Sequence, residues 1–309
     1  GSKSHNIKMR QIAIDQGYKL NEYGLFKKEK AVAGEKEGEV YQKLGLDFIL
    51  PELRENRGEI DAAQSNQLPV LVRLEDIKGD LQLHTTESDG TNSLKEMAQK
   101  AKDLGYDYMA VTDHSQNLSV AGGLSAEDYR HQFEQIDQLN QELGNFTILK
   151  AAEVDILKDG SLDLDDEILA EFDLVLGSIH SHFSLSEKDQ TERVIKAMNH
   201  PNFHIFSHPT GRIINTRDGY ALDMERVFKA AKQNSCILEI NAQPSRLDLN
   251  DILAKRAKEM GLKISLGSDA HSTAEMDYMR FGVDQARRGW LEAEDVINTY
   301  NLEQLLDII

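Results

Sequence analysis

The chain has 309 residues, 40% hydrophobic and 28% charged, with a net charge of −18, a length that admits one large domain or two ordinary ones. No apolar run approaches the roughly 18–20 residues of a membrane span, no secretory leader is visible at the start, and the single Cys236 excludes an intramolecular disulfide, which fits a reducing, cytoplasmic setting. Residues 1–72 are balanced at 11 Lys+Arg and 11 Asp+Glu, while residues 73–309 hold 24 against 42 and so carry the whole excess. A broadly acidic surface repels nucleic-acid phosphates at long range, unless some of its carboxylates gather to hold cations.

Residues 1–60 read differently from the rest. A helical pattern over 4–16 stops at Gly17. Residues 19–27 are strand-like with Gly24 inside them, and Gly34-Glu35 opens a short helix with Glu35, Glu37 and Glu39 near its positive end. Residues 47–51 read as irregular. So few short elements bury little core alone, which marks them as a fragment of something larger or an arm on the main domain. Residues 61–76 are expected to link this segment to a second domain, 77–309.

From residue 77 apolar, β-prone runs alternate with amphipathic helical ones. Strands are expected at 79–84, 106–112, 146–154, 174–179, 203–206, 236–240 and 263–266. Helices are expected at 93–104, 126–143, 191–199, 223–233, 249–260 and 273–286. Repeated β-then-α units imply an α/β fold with a parallel sheet under helices, either a barrel or an open doubly wound sheet. In both, sites form where the strands end at their C-terminal edge.

Metal-type side chains recur at those ends. The first run closes in GDLQLHT, with Asp80, Gln82 and His84, then Asp89 in SDG. The second closes in VTDHS (Asp113, His114), the third in AAEVD (Glu153, Asp155) and the fourth in GSIHSH (His180, His182). The fifth closes in IFSHP (His208), the sixth in EINAQPSR (Glu239, Asn241, Arg246) and the seventh in GSDAH (Asp269, His271). Six of the ten histidines fall just after strand-like runs. A single such histidine is usually a structural side chain; five strand ends out of seven form a pattern. Parallel strands bring these ends to one mouth, where unpaired charge is costly and divalent cations supply the counter-charge. Imidazole with carboxylate and no thiolate suits Zn, Mn or Fe(II). The ligands exceed what one ion can use, so two or three ions are expected; ions about 3.5–4 Å apart clamp the entering and leaving oxygens of a phosphate ester.

At these residues the chain resembles the PHP (polymerase and histidinol phosphatase) family, most closely the C-terminal PHP domain of bacterial family X DNA polymerases. The motifs run in order: GDLQLHTTESDG, YMAVTDHS, SIHSHF, TERVIKAM, HPTGR, EINAQPSRLDL, SDAHS and ARRGW. The front segment, with KLNEYGLF and GEVYQKLGL, resembles the tail of the polymerase part, a thumb-like region. The resemblance implies a distorted seven-stranded (β/α) barrel preceded by a small α+β remnant of the polymerase. It also implies a C-terminal piece of a longer protein, without nucleotidyl transfer because the polymerase aspartates would lie upstream.

The resemblance carries a nine-position ligand pattern onto position 82, His84, Asp89, His114, Glu153, His180, His208, Asp269 and His271, with Glu153 the bridging carboxylate. Position 82, a histidine in the family pattern, is Gln82 here. A neutral amide oxygen is the poorer ligand, so the first ion binds more weakly yet acts, or the residue was engineered, or the site is naturally degraded. Arg212 and Arg246 are candidate phosphate clamps, with ordinary ion pairs as the bland reading; with Glu153 and Asp269 they form the expected catalytic set. Asn241 orients a ligand or caps a turn. His182, two residues past His180, touches substrate or lies peripherally. Arg287, Arg288 and Trp290 touch DNA or form a solvated helix end.

By resemblance the reaction is metal-dependent 3′→5′ exonuclease or DNA 3′-end processing, with Mn²⁺ the activating ion and Zn²⁺ or Fe²⁺ as alternatives. DNA ends and the upstream polymerase region are the expected partners, and no membrane is. A small-molecule phosphatase of the histidinol phosphate type is the rival within enzymes. A scaffold that supports the polymerase is the rival outside them.

Overall fold

The computed structural model describes the backbone of residues 1–309 and every side chain but that of Ser119. The chain divides into two compact units, Gly1–Leu71 and Val72–Ile309.

In the first unit, helix α1 (Lys3–Asp15) starts on Ser2, whose hydroxyl accepts from His5 N, and stops before Gly17 at φ +75°. A three-stranded antiparallel sheet follows: β1 (Lys19–Asn21), β2 (Gly24–Lys27) and β3 (Lys30–Ala33). Gly24, at φ +128°, makes the first turn, and a Cβ there would sit 2.5 Å from Ala33 O. Strand β3 escapes sequence reading because Lys30–Ala33 is short and half-exposed. Helix α2 (Glu37–Lys43) has Glu37 and Glu39 in its first turn, while Glu35 precedes it. Helix α3 (Glu59–Gln64) crosses residue 60. Buried His5 ties α1 to both later helices, with Nδ1 2.6 Å from Glu59 Oε1 and Nε2 3.1 Å from Tyr41 Oη.

The second unit holds seven parallel strands in sequential order: β4 (Gly79–Asp80), β5 (Tyr108–Val111), β6 (Thr147–Asp155), β7 (Leu174–Ser178), β8 (Ile205–Phe206), β9 (Ile237–Asn241) and β10 (Ile264–Gly267). Helices fill the six crossovers: α4 (Leu94–Asp103), α5 (Ala126–Leu143), α6 (Asp166–Leu169), α7 (Glu187–Met198), α8 (Met224–Gln233) and α9 (Asp251–Glu259); α10 (Met279–Arg288) follows β10. Ser93, Ser125, Ser186, Asp223 and Asn250 each accept the N–H three residues on, opening α4, α5, α7, α8 and α9 as good N-caps do. Helix α7 begins earlier than its apolar pattern because its first turn, Glu187–Gln190, has no apolar residue to announce it. Ahead of α10 the segment Glu275–Tyr278 is a 3₁₀ turn.

The sheet closes on itself. Leu83 bridges Ala270 in parallel, Asp269 N donates to Gln82 O at 3.0 Å and His84 N to Ala270 O at 2.9 Å. Lower down, β4 and β10 are not paired, and buried Asn298 fills the seam. Its Nδ2 donates to Gly79 O (2.9 Å) and Leu266 O (2.8 Å), and its Oδ1 accepts from Leu266 N (2.7 Å). The result is a nearly closed (β/α) barrel. Helix α11 (Leu302–Leu306) ends the chain and delivers Leu305 to the interior core.

Strand alternation then sorts the side chains. Inside the barrel Tyr108, Ala110, Leu149, Ala151, Leu174, Leu176, Ile205 and Ile237 form one apolar cluster. Their outward neighbours, among them Met109, Val111, Ile148, Val154, Val175, Phe206 and Leu238, join the core beneath the helices. Two residues further along each inward column the chemistry changes. Thr112 and His114 lie above Ala110, Glu153 and Asp155 above Ala151, Ser178 and His180 above Leu176, Ser207 above Ile205, and Glu239 and Asn241 above Ile237.

Candidate metal centre

The C-terminal ends of the strands open into a cavity of about 270 Å³ whose wall includes Asp89, His114, Glu153, His180, His208, Arg246, Asp269 and His271. Three groups of ligand atoms converge, each within 4.8 Å of one another: His84, Asp89, His114 and His271; His114, Glu153 and His180; and His84, Glu153 and Asp269.

Glu153, on inward-facing β6 and almost wholly buried, lies at the centre. Its Oε1 is 2.7 Å from His208 Nε2 and 3.3 Å from His180 Nε2; its Oε2 is 3.4 Å from His84 Nε2 and 3.4 Å from His114 Nδ1. Ser178 Oγ, one strand over, donates to Oε1 at 2.5 Å. Burial works to raise this carboxyl, but the charge and hydrogen bonds of His114, His180 and His208 outweigh it and hold Glu153 well below the ordinary carboxylate range. Asp269 behaves alike: burial opposes ionisation and His84, Nε2 to Oδ1 3.1 Å, wins, leaving the carboxyl low. His84 is sandwiched between His114 and His271, ring centroids 4.4 Å apart on both sides. Asp89 reaches in from the following loop, 3.4 Å from His271 Nε2 and 3.6 Å from His114 Nε2. His208 and Asp269 reach the site by leaving the strand direction, at φ +27° and +52°, an uncommon region for non-glycine residues.

These residues fit divalent cations on the chemistry of their donors. Burial holds the His114 imidazole down at about 4, so it offers a neutral lone pair, and the buried Nδ1 atoms of His84, His114 and His208 have no hydrogen-bond partner. Such groups are stable only when paired or ligating.

Positioning comes from a surrounding layer; the sequence marks Asp113, Asp155 and Glu239 at strand ends but not this role, nor their partners Thr85, Ser88, Gln132 and Ser207. Asp155 Oδ1 bonds His180 Nδ1 and turns its Nε2 toward Glu153. Burial opposes a charged His180, yet Asp155 and Glu153 raise it to about 10. The signal was available, since Asp155 follows Glu153 by two residues on one strand. Asp113 accepts from Thr85 N (2.8 Å), Thr85 Oγ1 (2.7 Å), Ser88 Oγ (2.5 Å) and Gln132 Nε2 (2.6 Å), fixing the loop that carries Asp89. Buried Glu239 accepts from Ser207 Oγ and His208 N, and desolvation pushes its pKa well up.

Several expected residues lie elsewhere. Arg246 lines the cavity, Nε 3.6 Å from Asp269 Oδ2. Arg212 does not: its Nε donates to Arg246 O at 2.8 Å and its Nη2 to Leu247 O, so it braces the Arg246 loop. His182 is exposed and away from the cavity wall, because β7 ends at Ser178 and the period-two argument lapses there. Gln82 is fully buried and, like His84, does not line the cavity. Asn241 is buried too, with its Nδ2 3.1 Å from Asp269 Oδ2. Arg287 and Arg288 end α10, donating to Val72 O (2.8 Å) and Asp251 Oδ2 (3.1 Å), and Lys255 Nζ lies 3.7 Å from the centroid of the Trp290 ring.

The profile of the PHP domain matches residues 80–243, more than half of the chain. The chain belongs to the PHP family. Ahead of its PHP domain, residues 1–55 match the DNA polymerase beta thumb. The PHP chain is 44% identical over 310 residues to the DNA polymerase/3′-5′ exonuclease PolX of Bacillus subtilis (strain 168), covering 99% of this chain and 54% of that protein. It thus spans about half of that relative's length. It is 31% identical to a "probable phosphatase" of Thermoanaerobacter sp. (strain X514) over 71% of this chain and 89% of that one. Among the described residues, no helix is long and apolar enough to cross a membrane.

Proposed function

We propose that residues 77–309 are a metal-dependent phosphoesterase that trims or processes DNA 3′ ends in the 3′→5′ direction. Residues 1–60 are then the tail of a polymerase thumb in a longer cytoplasmic protein. The observation that carries this reading is the crowding of His84, His114, His180 and His208 around one buried carboxylate, Glu153. The name of the B. subtilis relative, which this chain covers over 54% of its length, supports the DNA substrate.

His84, Asp89, His114, Glu153, His180, His208, Asp269 and His271 would hold two or three divalent ions, Mn²⁺ for activity, with Zn²⁺ or Fe²⁺ as alternatives. Ions so held neutralise phosphate oxygens and make water a nucleophile near neutral pH. The rest falls to the chain's own groups. Glu153 and Asp269, kept ionised, leave no proton to compete for their oxygens. Arg246 at the cavity wall presents a guanidinium fork to a phosphate, and Arg212 holds that loop in place. The cavity of about 270 Å³ is small for a drug-sized ligand and suits one phosphoryl group with its flanking sugar. The acidic surface leaves the grip on the remaining strand to the polymerase part.

Manganese-dependent shortening of a 5′-labelled single strand tests the reading. Glu153→Ala lowers the rate by more than about 100-fold, beyond the 10–100-fold typical of residues that only support metal ligands; full activity in that variant defeats the proposal. Hydrolysis of histidinol phosphate with DNA left intact would assign the small-molecule phosphatase instead. A folded chain without ions or hydrolysis would be a scaffold.

A further inference from the structure

Gln82 lies within the polar layer of the barrel, and its hydrogen bonds show what it does there. The side chain is fully buried. Its Oε1 accepts from Asn241 Nδ2 at 3.2 Å and lies 3.1 Å from Ser207 Oγ. Asn241 has two amide hydrogens and two further acceptors in reach, Asp269 Oδ2 at 3.1 Å and Glu239 Oε2 at a longer 3.4 Å. Gln82 Nε2 carries hydrogens and no lone pair, so it ligates nothing. It has no hydrogen-bond partner, and neither does Glu239 Oε1. Both side chains close over Gly267, where an added Cβ would come within 2.2 Å of Glu239 Oε1 and 2.6 Å of Gln82 Cβ. Gln82 is therefore packed down beside Glu239, with its one possible ligand atom turned to Asn241.

We propose that Gln82 is a positioning residue and not a metal ligand: through Asn241 it fixes the Asp269 carboxylate. An ion held by His84, Glu153 and Asp269 would then have those three protein side chains and no fourth from position 82. With Gln243 N donating to its Oδ1 at 3.1 Å and Gln82 taking one amide hydrogen, Asn241 presents the other to Asp269 Oδ2, which is nearer than Glu239 Oε2. Asp269 Oδ1 is left facing His84 Nε2 at 3.1 Å. This inference rests on the metal-centre reading above.

Manganese binding to the full chain, followed by the paramagnetic resonance of free Mn²⁺, separates the two. The parent chain, Gln82→Met, Asn241→Leu and the double variant are titrated, with a thermal melt to confirm folding. The same number of ions binds in all four. One site weakens by about five-fold in each single variant, and the double variant is no weaker than either, since residues acting through one contact do not add. Gln82→Glu gives a second reading that does not depend on the methionine variant. A carboxylate aimed at the ion would tighten binding, whereas one aimed at Asn241 does not. Loss of a whole manganese equivalent in Gln82→Met, additive losses in the double variant, or tighter binding in Gln82→Glu overturns the inference while leaving the metal centre intact. A parent chain that binds no manganese overturns both.

Discussion

At the scale of single residues, the centre is an exercise in pairing buried charge. Glu153 meets four imidazoles, and Asp155 stands behind one of them, His180. Supporting groups of this kind typically contribute 10–100-fold to metal affinity. Asp155→Ala is therefore expected to weaken one manganese site by about 10–100-fold while leaving the site beside Asp89 and His271 unchanged, as read by equilibrium dialysis. Equal weakening at every site would instead mean that Asp155 supports the fold as a whole. The side chains gathered around Glu153 were legible in the sequence because imidazole and carboxylate at strand ends have few other uses together. Their supports were less so: Asp113 stood out at a strand end but not as the brace of the Asp89 loop, and Ser178 and Ser207 are common residues whose roles appear only once neighbouring strands are in register. Arg212 shows the reverse error: a cation near the mouth by sequence, it spends its donors on backbone carbonyls.

At the scale of elements, all seven strands and six barrel helices could be read from alternating apolar patterns, and Ala126–Leu143 coincides in both bounds. What the pattern hid is how the sheet closes. Strand β4 is two residues long, and its seam with β10 is bridged by the side chain of Asn298. No local signal marks an asparagine 32 residues downstream of Leu266 as the residue that pairs with its backbone. Replacing it leaves Gly79 O, Leu266 O and Leu266 N without their partner in a buried place, at about 1–3 kcal/mol for each unmade bond. Asn298→Ala is thus expected to destabilise the barrel by about 3 kcal/mol or more in urea denaturation. A change below about 1 kcal/mol would mean that water fills the seam at little loss.

At the scale of the whole molecule, the carboxylates and imidazoles that cluster when the barrel forms are scattered over almost 190 residues in the unfolded chain, from His84 to His271. A ligand that binds only the folded state stabilises it by about 3–4 kcal/mol at 100 to 1,000 times its dissociation constant. Manganese is accordingly expected to raise the melting temperature of the chain by several degrees. A chelator should reverse the gain, and Glu153→Ala should abolish most of it. A melting temperature indifferent to manganese in the parent chain would count against a resident metal centre.

The alternation inside the barrel, apolar below and polar above, also bears on divergence. Shape is maintained by Leu149, Leu174, Ile205 and their neighbours, a storey beneath the chemistry, so a ligand position can drift without loosening the walls. Gln82, where the resemblance implies a histidine, sits in that upper storey against Asn241 and Ser207. A scaffold that keeps architecture and reactivity on separate floors can lose one donor, survive the loss, and be retuned from there.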